Sequence, residues 1–245
     1  MEWTDSGIVL SVRPHGETGS ILEALTRVHG RHLGLIRGGA SRKFRPVLQS
    51  GNTLQLHWRA RLSEHLGNFA AELLTSRAGT LFDRRDALTG LNAFTSVASA
   101  ALPERVSHEP VFEAAEVLLD TMATGEFLDW APLYVRWEAG LLDELGFGLD
   151  LSACAATGAR DDLKYVSPRS GRAVSAAAAK PYEDRLLALP AFLLGSQGAT
   201  ASLQDIDAGL RLTGHFLAQR VLAPHNQGIP AGRARLNELA AHESK

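Results

Sequence analysis

The chain has 245 residues, of which 45% are hydrophobic and 21% are charged, a composition typical of folded proteins. Its formal net charge of −2 argues against bulk attraction to an anionic membrane. The single cysteine, Cys154, excludes an intramolecular disulfide, and no run of about 18 apolar residues could span a membrane. The first residues lack the basic and apolar regions of a secretory signal. We therefore expect a soluble, cytoplasmic protein.

Positive charge is concentrated in the first third of the chain. Residues 1–82 carry 10 Lys and Arg against 6 Asp and Glu, whereas residues 83–245 carry 15 against 21. No carboxylate lies between Glu23 and Glu64. Eight basic residues lie in this acid-free stretch: Arg27, Arg31, Arg37, Arg42, Lys43, Arg45, Arg59 and Arg61. Positive charges at this density repel one another unless an anion binds them. The difference in net charge between residues 1–82 and 83–245 predicts two modules with different partners.

Short apolar runs separated by turn residues predict β-structure at the start of the chain. Strands are predicted over residues 7–12, 21–26, 33–36, 53–62 and 69–74. In the fourth, Leu54 and Trp58 belong to one face, and Arg59 and Arg61 to the other, roughly 6–7 Å apart. Five short strands in this length predict a closed barrel of the oligonucleotide-binding (OB) type over residues 1–80.

The hydrophobic period then changes to that of helices. Helices are predicted over residues 87–102, 111–122, 203–221 and 233–242, together with one that starts at the N-cap Asp129 and ends before Gly146. Residues 146–195 have no clear period. The sequence therefore predicts a two-domain α+β protein, in which an all-α domain over residues 81–245, with an irregular insert at about 146–195, follows the barrel.

A nucleic-acid backbone is the anion that best fits the acid-free stretch, because binding it releases condensed counterions. The predicted DNA-binding residues fall into three groups: Arg59 and Arg61 on a strand, Arg37, Arg42, Lys43 and Arg45 on a flexible loop, and Arg27 and Arg31 on a hairpin. Gly38 and Gly39 would let the loop backbone approach the ligand, and Phe44 could stack on a base. Few aromatics belong to the polar faces, which favours backbone contact over sequence reading.

Other site chemistries have weaker support. His29 and His32 lie near His57 and His65 but lack acidic or cysteine co-ligands, and surface histidines beside phosphate explain them more simply than a metal. Cys154 has no local base or oxyanion motif and is interpreted as a small residue in a packed loop. No phosphate-binding loop or nucleophile elbow occurs. We expect no catalytic residues, no metal and no cofactor.

Several short motifs, taken in order, resemble the RecO family of recombination mediators and DNA-repair proteins. They are GIVL at 7–10, HGET at 15–18, TRVHG at 26–30, RGGASR at 37–42, WRARL at 58–62, LPER at 102–105, EAGLL at 138–142, GFGLDL at 146–151 and YVSPRSG at 165–171. Each motif is short, but their order and spacing cover most of the chain.

The resemblance implies an OB-fold followed by a helical domain. It implies binding of single- and double-stranded DNA, strand annealing, and displacement of single-strand-binding protein (SSB) so that RecA loads. The implied partners are RecR and the C-terminal tail of SSB, in a nucleoid-associated protein of the cytoplasm. Some relatives carry a four-cysteine zinc knuckle. Cys154, Thr157, Ser175 and Ala178 stand at those positions here, which implies a degenerate, metal-free knuckle-like loop.

We therefore expect a non-enzymatic DNA-binding mediator. One alternative is a protein-interaction adaptor whose basic barrel face binds acidic peptide tails. Another is a nuclease, which would need clustered carboxylates for metal ions near the basic face, and the acid-free stretch does not provide them.

Overall fold

The computed structural model describes residues 1–195 and 201–243. The chain divides into two compact units, Met1–Thr124 and Gly125–Lys245. The first contains five strands followed by three helices, and the second is mainly helical. None of the described helices combines the length and the apolar character needed to cross a membrane.

The first unit begins with a strand-rich sheet, as predicted. Its strands are β1 (Glu2–His15), β2 (Gly19–Thr26), β3 (Gly30–Ile36), β4 (Thr53–Arg59) and β5 (Asn68–Thr75). They are hydrogen-bonded in the order β1-β2-β3-β5-β4, and β4 pairs back to β1, so that the sheet closes into a barrel. Strand β1 is much longer than predicted because its first half pairs with β4 and its second half with β2.

Strand β4 confirms the predicted alternation of apolar and polar residues. Leu54, Leu56 and Trp58 are buried in the barrel core, whereas His57 and Arg59 are exposed. The strand ends at Arg59, so the predicted end at residue 62 is wrong. The amide of Ala60 donates to the carbonyl of Met1, and the chain then leaves the sheet.

Three helices complete the first unit: α1 (Ala78–Phe82), α2 (Arg85–Ala101) and α3 (Glu109–Thr124). Helices α2 and α3 agree with the predicted helices to within two residues at each end, and α1 was not predicted. The buried Arg77 ties α3 to the barrel through an ion pair with Asp120 at 2.6 Å and a hydrogen bond to Thr53 Oγ1 at 2.7 Å. At the start of α1, the Oδ1 atom of Asn52 accepts hydrogen bonds from the backbone amides of Arg77 and Ala78.

The second unit contains α4 (Phe127–Glu144), α5 (Ala176–Ala179), α6 (Leu203–Phe216) and α7 (Ala231–Glu243). A π-helical segment, Leu217–Leu222, extends α6 to one residue beyond the predicted end of that helix at residue 221. The predicted N-cap of α4 is wrong, because Glu126 caps the helix. Asp129 is the third helical residue, and its carboxylate accepts the Glu126 amide at 2.8 Å. Gly146 has a φ of +82°, as expected for a residue that ends a helix.

The prediction of an all-α second domain needs correction. The insert predicted as irregular contains a three-stranded sheet of β6 (Leu163–Val166), β7 (Ala173–Ser175) and β8 (Leu187–Ala188), in the order β7-β6-β8. Strands of four, three and two residues are too short to show a period in the sequence. These strands are therefore recognisable only from their pairing in the folded structure.

Candidate nucleic-acid interface

Arg27 and Arg31, predicted to bind DNA, are paired with carboxylates. Arg27 forms ion pairs with Glu109 at 2.7 Å and Glu113 at 2.6 Å, and the hydrogen bond that it donates to Glu109 raises the arginine pKa. Arg31 forms an ion pair with Glu23 at 2.7 Å and, at 3.7 Å, one with Glu104. The acid-free stretch of the sequence is therefore not acid-free in space, since α3 and the segment before it supply carboxylates.

The loop that follows β3 is built from successive turns. The amide of Ser41 donates to the carbonyl of Gly38, and the amide of Phe44 donates to that of Ser41. Phe44 is half-buried and packs against the barrel core, which leaves Arg42 and Lys43 exposed beside it. A β-carbon on Gly39 would lie 2.8 Å from the β-carbon of Ser20. Gly39 therefore allows close packing against Ser20 within the barrel, and the approach of the loop backbone to a ligand stays a prediction.

A groove on the barrel brings together residues from β3, β4, β5 and this loop. Its volume is about 560 Å³. We call it the seam groove, and the residues that define it are Arg37, Phe44, His57, Arg59, Asn68 and Glu72. Arg37 and Arg59 are both exposed at its surface, so the fold unites cations that lie on different elements of the sequence.

Two of the predicted cations lie away from this groove. Arg45 lines a second concavity of about 410 Å³, together with Pro14 and Gln49. Arg61 is exposed in the turn after β4, so the predicted side-by-side placement of Arg59 and Arg61 on one strand is wrong. The loop therefore presents its basic residues toward more than one surface.

The cations of the groove and loop have little internal compensation. The closest carboxylate to Arg59 belongs to Glu2, at 4.0 Å, and both side chains are mostly exposed, so this pair contributes little. Within the part of the chain that the structure describes, no salt bridge involves the other five: Arg37, Arg42, Lys43, Arg45 and Arg61. Their charge is available to an external anion.

The histidines of the stretch belong partly to an aromatic cluster. His32 is buried, at 3% exposure, and lies edge-on to Trp58 with ring centroids 5.0 Å apart. Burial lowers its pKa. His29 stacks on Trp3 with centroids 4.1 Å apart and contacts Asp5 at 3.0 Å. The interpretation of these residues as surface histidines is therefore wrong for His32, which packs inside the barrel.

Cys154 is buried, as predicted for a residue in a packed loop. Its sulfur accepts hydrogen bonds from the hydroxyl and the amide of Ser175, at 3.4 Å and 3.3 Å. These bonds and one from Thr157 lower the thiol pKa to about 6. A backbone hydrogen bond also closes the loop, since the amide of Cys154 donates to the carbonyl of Ala159 at 2.7 Å.

Sequence reasoning missed Asn68, Ala70 and Glu72 as residues of the interface. They alternate along β5, so their shared face was visible in the sequence. Their position was not, because it depends on the register that pairs Asn68 with Arg59 and Ala70 with His57.

Comparison with known proteins identifies the family. The family model for the recombination protein O N terminal region matches residues 1–77, and that for the C terminal region matches residues 83–227. The chain belongs to the RecO family. It is 51% identical to the DNA repair protein RecO of Rhodospirillum rubrum over 241 aligned residues. The aligned residues cover 97% of this chain and 96% of that protein.

Other RecO proteins match over the same extent. The chain is 52% identical to the DNA repair protein RecO of Cereibacter sphaeroides, over 98% of this chain and 99% of that protein. It is 51% identical to that of Caulobacter vibrioides, over the full length of both. Membership of the RecO family supports a role in DNA repair and recombination.

Proposed function

We propose that this RecO-family protein is a non-catalytic recombination mediator that binds the backbone of single- and double-stranded DNA. The observation that carries the proposal is the joint exposure of Arg37 and Arg59 on the seam groove, beside Arg42 and Lys43 of the loop. Their weak internal compensation leaves them free to neutralise phosphates, which releases counterions and favours binding.

In this proposal the strand-rich sheet acts as a DNA-binding barrel of the OB type. An OB-fold combines a basic groove with aromatic side chains on which bases stack. The seam groove offers both features, because Phe44 lines it together with the two arginines. Screening of two backbones at once lowers their mutual repulsion, so the same surface would assist the annealing of complementary strands.

As a mediator, the protein would act on single-stranded DNA that is coated with SSB and would help RecA to load there. RecR and the C-terminal tail of SSB are the proposed protein partners, and association with the nucleoid follows from DNA binding.

The boundary between the DNA-binding and helical domains is proposed near residue 80. The loop around Cys154 is proposed to be a degenerate knuckle that hydrogen bonds hold closed, with Ser175 as the donor to the sulfur.

A competition experiment tests this proposal. Binding is measured for single-stranded, duplex and SSB-coated DNA of equal length, and RecA loading is followed on the coated strand. The proposal predicts binding to all three and faster loading of RecA. Failure to bind DNA, or magnesium-dependent cleavage of the oligonucleotide, would contradict it.

The rival function is an adaptor whose basic face binds acidic peptide tails. The same exposed cations favour it, because a carboxylate can replace a phosphate at Arg37 or Arg59. Fluorescence anisotropy with a labelled oligonucleotide and with an acidic peptide of equal charge separates the two. Tight binding of the peptide alone would favour the adaptor.

A further inference from the structure

The seam groove lies beside the weakest junction of the barrel. Strands β3 and β5 are parallel and share a single registered pair, Leu35 with Asn68, and the amide of Leu35 donates to the carbonyl of Gly67 at 3.0 Å. The antiparallel pair β4–β5, by contrast, is registered over seven pairs. Among the described strands, β5 beyond Asn68 pairs only with β4. This junction is therefore the part of the closed barrel with the fewest hydrogen-bonded pairs.

The floor of the groove is apolar and recessed. Ile36 and Phe69 are buried, and the neighbouring positions on β5 are the small residues Ala70 and Ala71. Ala70 is opposite His57 on the outer face, between the longer side chains of Asn68 and Glu72. A short side chain at the centre of this row leaves a hollow, and the half-buried ring of Phe44 lines the same cavity.

Charge is distributed unevenly around the hollow. Arg59 is opposite Asn68 in the register, two residues from the His57–Ala70 pair, while Glu72 lies two residues from that pair on the other side. A phosphate is attracted toward Arg59 and Arg37 and repelled from Glu72. A neutral ring suits the middle, and the Glu72 carboxylate can accept a hydrogen bond from an exocyclic amine of a base.

We propose that the seam groove holds an unstacked base of a DNA single strand, with the flanking phosphates on Arg37 and Arg59. The volume of about 560 Å³ is in the range of small-molecule sites and accommodates a nucleotide. A paired base is stacked inside its duplex and does not enter, so the groove discriminates in favour of unpaired DNA. This inference rests on the proposed function and adds base insertion to backbone binding.

The Glu72 carboxylate also decides between a base and an acidic peptide. An acidic segment lying along the groove would bring its carboxylates close to Glu72, whereas a single base extends away from its own phosphates. The apolar floor, the aromatic wall and the single acid together fit a nucleobase better than a chain of carboxylates.

The test fills the hollow without a change of charge. Ala70→Leu adds an aliphatic side chain at an exposed strand position, and Ala114→Leu, on the exposed face of α3, is the matched control. Anisotropy measures the affinity of each protein for a mixed-sequence single strand, an abasic strand of the same length and a duplex. Circular dichroism melting checks that both variants fold.

The wild-type protein is expected to bind the normal strand at least about fivefold more tightly than the abasic strand, since base stacking contributes at least that factor. Ala70→Leu should bring this ratio close to one by weakening the binding of the normal strand more than that of the abasic strand, and Ala114→Leu should keep the wild-type ratio.

An unchanged ratio in Ala70→Leu would overturn the inference and leave the proposed function intact. The inference would also be overturned if Ala70→Leu weakened the binding of an acidic peptide but did not weaken the binding of the normal DNA strand. If the wild-type protein binds neither strand nor duplex, the proposed function fails, and the inference fails with it.

Discussion

The Nη1 atom of Arg31 lies 2.7 Å from a carboxylate oxygen of Glu23, and both side chains are largely buried. The Nε of the same arginine donates to the carbonyl of Leu102, also at 2.7 Å. Arg31 therefore connects the barrel to the segment that follows α2. Arg37, only six residues later, is exposed on the seam groove.

This contrast predicts opposite effects for two alanine variants. Arg31→Ala should lower the free energy of unfolding by about 1–3 kcal/mol, because it leaves the Glu23 carboxylate with an incomplete set of partners. Arg37→Ala should change it by less than about 0.5 kcal/mol and should weaken DNA binding. Urea denaturation and anisotropy provide the two readouts. A stable Arg31→Ala protein with lost DNA affinity would show that Arg31 binds DNA.

Glu138 and Arg233 should dominate the stability of the second unit. Both side chains are fully buried, and their atoms approach to 2.5 Å and 2.8 Å in a two-point ion pair. Burial acts to lower the pKa of Arg233, but the charge of the Glu138 carboxylate, the hydrogen bond to it and the neighbouring Tyr134 together raise that pKa above its usual value. Glu138→Gln should cost about 3–5 kcal/mol, because it leaves a buried charge unpaired.

The control for this pair is a variant that removes both charges. Glu138→Gln combined with Arg233→Met should recover part of the loss, since no unpaired charge remains. Chemical denaturation followed by circular dichroism measures both proteins. A cost below about 1 kcal/mol for Glu138→Gln alone would contradict the assignment.

Cys154 should make stability depend on pH. Its folded pKa of about 6 is below the usual thiol value of about 8.5, so the unfolded chain holds more protons between these values. Stability from this group is fully present above about pH 8.5 and is lost as the pH falls toward 6. The difference in unfolding free energy between wild type and Cys154→Ala should therefore increase with pH over that window. A constant difference would indicate an ordinary thiol.

Much of the fold follows from local sequence patterns. The alternation of Leu54, Leu56 and Trp58 with His57 and Arg59 identifies both faces of β4 correctly. The amphipathic periods likewise locate α2 and α3. These signals survive because each element buries one continuous face, which the period of its apolar residues records.

The electrostatic pattern of the interface could not be read in the same way. Glu104, Glu109 and Glu113 lie far from Arg27 and Arg31 in sequence, yet they neutralise them in the folded unit. A charge count along the chain contains no information about such partners. The seam groove was hidden for a related reason, since it depends on the strand register.

The loop of Arg42, Lys43 and Arg45 is the part of the basic surface that can be altered with least risk to the fold. All three side chains are exposed, and no salt bridge in the described residues involves them. A matched control removes three exposed cations from the acidic second unit, Arg160, Lys180 and Arg185. Both triple alanine variants lose the same charge.

The salt dependence of single-strand affinity tests the central claim most directly. If about 4–6 phosphates are neutralised, the wild-type plot of log affinity against log salt should have a slope of roughly −3 to −4. The loop variant should flatten this slope by up to about 2, and the control variant should leave it unchanged. A wild-type slope near zero, or equal slopes in the wild-type protein and the loop variant, would contradict DNA-backbone binding by this surface.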